Sequence, residues 1–232
     1  MIRSGVVLCA LLLLSGCAAN GVGEKKPPGF ELSDLAKTDV NLVVETHQRE
    51  VLNHLKLLML KLYRRNPREL AKSGTFNAEE RVEKVFSRDL DWRFEELENK
   101  LGADCIHLVF EESFKGDRVL AFGVGLVSMT LASYNDKRAF FLLDDLDPQK
   151  LHNSARNLEL AAWKLGQGKD RHGEPFLLAN ETEGPVVNLS FERLFGKMIA
   201  VQDTMSLIVA QKTKRAIKQA IQFVASAVFL PI

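Results

Sequence analysis

After residue 38 the apolar positions recur at intervals of three and four, the period of a helix with one buried face. Leu52, Leu55, Met59 and Leu62 keep this spacing, with Leu58 on the same side, and predict a helix over 39–65 with Thr38 as its N-cap. Pro67 disfavours helical geometry at Asn66, so the helix should stop there, with a short helix following through Leu70. Asn77-Ala78-Glu79-Glu80 is a helix start, an acceptor followed by acids in the first turn, and leads to Val82, Val85 and Phe86. One or two further helices are expected between Trp92 and Phe114, broken near Gly102.

From Arg118 to Tyr134 the pattern loses its polar face. About 14 apolar residues are too few to span a bilayer, so this stretch is expected to be a central helix packed on every side. Gly123, Gly125, Ser128 and Ala132 would let its neighbours approach closely. The acidic run Asp144-Asp145-Leu146-Asp147 lacks the ligand pattern of a calcium loop and fits a helix start, with Asp147 as cap and Pro148 in the first turn. That helix should carry Leu151, Ala155, Leu158, Ala162 and Leu165 on one face.

Residues 167–184 read as a long surface loop, with a hairpin at Phe176-Leu177-Leu178, and long loops are frequent binding edges. From Ser190 the helical period returns: Leu194, Met198, Val201, Met205 and Ile208 form one stripe, Ile217, Ile221, Val224 and Val228 a second. Neither Gly nor Pro interrupts between Lys197 and Leu230, so one long helix or two with a bend are expected, ending at Pro231. Its apolar face should dock on the core, and Val228-Phe229-Leu230-Pro231-Ile232 stands as a candidate docking peptide. The expected fold is all-α: a single irregular bundle of about seven or eight helices over 33–232, behind a flexible tether.

The first seventeen residues follow another logic. A short n-region with Arg3 precedes an unbroken apolar run from Val6 to Leu14, the length of a signal-peptide core. The run ends in Leu14-Ser15-Gly16-Cys17. Here the chain resembles the bacterial lipoprotein class, in particular the lipoproteins of proteobacteria, whose lipobox is leucine, two small residues and the cysteine to be acylated. The resemblance implies a signal peptide over 1–16, cleavage before Cys17, and three acyl chains on that cysteine. Two or more chains hold a protein firmly on a membrane. Ala18-Ala19 follow in place of the aspartate that retains such proteins in the inner membrane, which implies the outer membrane, facing the periplasm. Residues 17–32, with three glycines and Pro27-Pro28, read as the lipidated cysteine and its tether.

Cleavage would leave 216 of the 232 residues, enough for a substantial core. Arg3 is the one charged residue of the signal, so the remainder carries 30 basic and 30 acidic side chains. That balance argues against nucleic acid as a partner. Cys9 leaves with the signal and Cys17 takes lipid, so Cys105 is the one remaining thiol and is expected to be a small buried hydrophobe.

His47, Glu50 and His54 share a helix face and are weak candidates for a metal site; a solvated polar face is the simpler expectation. The adjacent acids Glu95-Glu96 and Glu111-Glu112 are expected to be solvated, and Arg64-Arg65 with Arg68 to stabilise a helix end. Gly123-x-Gly125 lacks the third glycine of a dinucleotide loop, and no Gly-x-Ser-x-Gly or Ser-x-x-Lys motif occurs. These features predict a non-catalytic interaction or accessory protein of the cell envelope, with an envelope protein as partner and no cofactor. A lipid or small-molecule carrier with an apolar cavity lined by 119–132 is the alternative, and a cell-wall enzyme a more distant one.

Overall fold

The structure is a computed structural model that describes residues 39–87, 92–141, 145–182, 185, 187–214, 217 and 228–232. The expected signal peptide, Cys17, the tether and Thr38 lie outside the described residues. The described chain is all-helical: α1 Asp39–Arg65, α2 Pro67–Lys72, α3 Ala78–Phe86, a 3₁₀ turn Glu95–Leu97, α4 Gly102–Val109, α5 Arg118–Ser133, α6 Pro148–Gln167 and α7 Ser190–Thr213.

Local chemistry sets most of these boundaries. The α1 helix stops before Pro67, as expected. The Asn77 side chain accepts the Glu80 N–H at 3.0 Å, and Asp147 accepts that of Gln149 at 2.9 Å ahead of Pro148. A third cap, Asp117, accepts the Leu120 N–H at 2.9 Å and opens α5.

The α5 helix is the centre of the bundle: every residue but Arg118 and Ala132 is buried. It packs against α1, α4 and α6, while α7 lies against α1 and α6. The glycines explain how closely. A Cβ on Gly123 would stand 2.9 Å from the sulfur of Met59 on α1. One on Gly125 would meet Ile106 at 2.5 Å and the Gly102 carbonyl at 2.8 Å, both on α4. Around these two glycines the core is therefore filled by side chains of α1 and α4. A smaller cluster of Val44, Tyr134, Phe140, Leu146, Leu151, Met205 and Val209 packs beside the main core.

Two expectations are corrected. One long helix from Ser190 to Leu230 is not formed: α7 ends at Thr213, Lys214 turns into the left-handed region at φ 55°, and 228–232 is not helical, while most of the stretch where a second helix was expected lies outside the described residues. Of the second stripe, Ile221 and Val224 lie outside the described residues, and Val228 is exposed. The hairpin is not at 176–178 either; isolated antiparallel bridges join Lys169 to Pro175 and Glu181 to Asn188. Between them Asn66 donates to the Leu178 carbonyl at 2.9 Å and accepts the Leu178 N–H at 2.8 Å, while Leu177 and Ala179 are buried. The loop is stitched to the α1–α2 junction and offers no free edge there.

The two kinds of glycine separate under substitution. Gly125→Ala overpacks the α4–α5 contact and should cost ~1–3 kcal/mol. Gly196→Ala, in α7 with nothing within 4 Å of its would-be Cβ, should gain ~0.5–1 kcal/mol. Urea midpoints of the two variants check both signs; a Gly125→Ala midpoint at or above that of the parent contradicts the close approach.

Candidate functional site

The titratable groups that the fold gathers are occupied in joining helices. Asp117, 1% exposed, takes the Tyr63 hydroxyl of α1 on Oδ2 at 2.7 Å and the Leu120 N–H on Oδ1. Arg81 of α3 stands 3.6 Å from the same carboxylate and reaches out to Glu96 at 2.9 Å. Glu96 is thus exposed but paired, where simple solvation was expected. Burial pushes the Asp117 carboxyl up to about 6, against the opposing pull of Tyr63, the Leu120 N–H and Arg81. Burial likewise pushes the Tyr63 hydroxyl upward, and the Asp117 charge adds to the shift. At the other end of α5, Gln202 of α7 is fully buried; it accepts the Tyr134 hydroxyl at 2.7 Å and donates to Ser154 of α6 at 2.8 Å.

The candidates singled out from sequence stay apart. His47 donates from Nδ1 to the Val43 carbonyl at 2.8 Å, and His54 to the Glu50 carbonyl at 2.6 Å. Each imidazole is turned along its own helix, and among the described residues no group of three His, Cys, Asp or Glu could hold a metal ion. Arg64 pairs with Glu79, and Arg65 with Glu181 at 2.7 Å. Cys105 is buried, its thiol donating to the Lys100 carbonyl at 2.9 Å and pushed up to about 12 by burial. His152 Nδ1 stands 3.6 Å from Asp203, too far for a hydrogen bond, and Arg156 occupies the other Asp203 oxygen at 2.6 Å.

A different arrangement holds an extended piece of chain. Residues 228–232 lie in a groove with α5 as its floor and α4 and α6 as its walls. Asn157 of α6, 1% exposed, donates to the Leu230 carbonyl at 2.9 Å and accepts the Leu230 N–H at 2.7 Å. One turn earlier Asn153, 8% exposed, donates to the Pro231 carbonyl at 2.8 Å. The Phe229 ring meets His107 of α4 edge-on, centroids 5.9 Å apart, and Lys164 of α6 lies 6.0 Å from its centroid. Beside the segment a cavity of about 410 Å³ stays open to solvent, lined by Leu101, Gly102, Ala103, Ser128, Met129, Ala132, Asp136 and residues 229–232. The candidate docking peptide of the sequence is therefore docked on its own domain.

Sequence reasoning missed Asn153 and Asn157. Their signal was a pair of polar residues spaced by four on a helix whose other inward positions are apolar. It also missed Tyr63, Arg81 and Gln202, single polar residues within apolar stretches.

No protein-family model, no curated protein and no solved structure matches the chain.

The raised Asp117 carboxyl sets a pH dependence. Between its ordinary value of 3.8 and about 6 the folded state holds a proton that the unfolded state releases, so this group's contribution to stability falls as pH rises through that window. Asp117→Asn, which keeps an oxygen for the cap and titrates nowhere, should flatten that limb in urea midpoints measured from pH 4 to 7. An unchanged profile would place the titrating group elsewhere.

Proposed function

We propose that this chain is a lipoprotein of the cell envelope, anchored on the outer membrane through lipid on Cys17 and acting as a non-catalytic interaction protein toward another envelope protein. Two features support the address: the Leu14-Ser15-Gly16-Cys17 lipobox, and Ala18-Ala19 behind it. Among the described residues no helix is long and apolar enough to cross a membrane. On this reading the anchor is the acyl chains, which hold firmly when two or more are present.

The observation that carries the binding half is the groove on α5. Its buried asparagines bind main-chain atoms of an extended segment, a geometry suited to holding polypeptide. Two ionisable groups at the start of α5, by contrast, have their hydrogen bonds taken up within the fold: Asp117 accepts the Leu120 N–H and the Tyr63 hydroxyl, with the Arg81 guanidinium 3.6 Å away, and Arg118 donates to the carbonyls of Leu108, Val109, Glu111 and Phe114. Nucleic acid is a poor fit as partner, given 30 basic against 30 acidic side chains outside the signal.

One observation favours a second reading, a carrier of a small apolar guest: the cavity beside Phe229 is bounded by Leu101, Met129 and Ala132. It lies at the surface and is lined by Ser128, Met129 and Ala132 of the expected stretch 119–132, not by Gly123 or Gly125. Mass spectrometry of the protein under native conditions separates the two readings, because a carrier retains a stoichiometric small-molecule adduct.

Cys17→Ala should abolish labelling by radioactive palmitate and move the protein out of the membrane fraction. Crosslinking in cells should capture one envelope protein with the parent chain and lose it with Cys17→Ala. Palmitate labelling that survives the substitution overturns the anchor; labelling that is lost while no partner is captured at any crosslinker length overturns the interaction half alone.

A further inference from the structure

We propose that the groove between α4 and α6 is a docking site for an extended apolar peptide of a partner protein, and that residues 228–232 are its intramolecular competitor. The inference deepens the interaction reading by giving it a site and a ligand class.

Three observations carry it. The first is the polar chemistry of the wall. Asn157 and Asn153 are buried, and three hydrogen bonds tie them to main-chain atoms of Leu230 and Pro231. A buried amide without partners is costly, so the groove demands an extended main chain. Any peptide with an N–H and carbonyl at the Leu230 position meets that demand, whatever its sequence. The second is side-chain selection: Phe229 lies between His107 and the Lys164 ammonium, and Met129 and Ala132 form an apolar floor. An aromatic residue followed by an aliphatic one is the pattern that fits.

The third is that the occupant does not fill its site. The same two-point asparagine clamp holds Leu178 to Asn66, but there the neighbouring Leu177 and Ala179 are buried and the loop is packed shut. Beside 228–232 about 410 Å³ remains open along the apolar floor. A clamp with room to spare accepts a longer or bulkier peptide than the one it holds. Since the internal segment competes at the high effective concentration of a tethered ligand, a second peptide must displace it, and binding to the parent chain is weakened accordingly.

The probe is a fluorescent synthetic peptide, Val-Phe-Leu-Pro-Ile, titrated into the full chain carrying Cys17→Ala so that no lipid enters the groove. The receptor is that chain with Phe229→Ala and Leu230→Pro, which removes the ring and the N–H that Asn157 accepts. The expected result is saturable binding at least ten-fold tighter than to the chain with its own segment intact. Methylating the peptide's leucine nitrogen, or adding Asn157→Ala to the receptor, should weaken it at least ten-fold. A peptide with photoreactive leucine, added in excess to the chain with its own 228–232, should crosslink to Met129 or Asn157; this readout stands even if the double variant does not fold. No saturable binding and no crosslink would overturn the proposal and leave 228–232 as a fixed part of the fold, without touching the lipid anchor. Binding indifferent to N-methylation overturns it in favour of an apolar guest. Concentration-dependent dimers without peptide binding overturn it in favour of exchange between two copies.

Discussion

A helix buried on every side satisfies the hydrogen bonds of its own interior but not those of its ends. In α5 this constraint organises the bundle. Its first turn opens in the core, so the cap must be a side chain that is itself buried. Asp117 supplies the acceptor, and its carboxylate in turn requires Tyr63 from α1 and Arg81 from α3. Arg81 carries the chain of partners out to Glu96 at the surface. At the far end Tyr134 hands its hydroxyl to Gln202, which ties α7 and α6 together through Ser154. Capping one apolar helix thus accounts for where Asp117, Tyr63 and Arg81 stand and which helices they join.

Much of this was legible in the sequence. Asn77, Asp147-Pro148 and Pro67 mark boundaries by local rules, and the structure follows each. The apolar run from 119 to 131 announced a helix without a polar face, and its glycines announced close neighbours. What was not legible depended on partners distant along the chain. The stripe of Ile217, Ile221, Val224 and Val228 has a helical period, with no glycine or proline to interrupt it before Pro231. The described part of that period ends earlier: α7 stops at Thr213, with a lysine at a left-handed position that glycine would ordinarily hold, and Leu230 is bonded to α6. Asn153 and Asn157 carry no local signal of burial; it follows from a backbone more than seventy residues away.

The candidate site was legible only in half. The segment 228–232 stood out as apolar and proline-bearing, but the surface that receives it is made of two amides, His107, Lys164 and the apolar side chains of Leu101, Met129 and Ala132, none of which signals binding by itself. The residues that did look like chemistry, His47 with His54 and Arg64 with Arg65, proved to be bonded along their own helix or to acids of neighbouring segments. Ionisable side chains attract notice for their reactivity. Here the less conspicuous amides make the unusual contacts, because an amide can offer a donor and an acceptor to one peptide unit at the same time.

The position of 228–232 in the chain bears on how the domain is assembled. Every residue that lines the groove precedes the segment in order of synthesis. The α4, α5 and α6 helices can therefore meet while Asn153 and Asn157 still face water, and the groove exists as an unoccupied surface until residues 228–232 arrive to close it. For that interval the growing polypeptide displays two hydrated amides above an apolar floor, and seating 228–232 exchanges their water for main-chain partners.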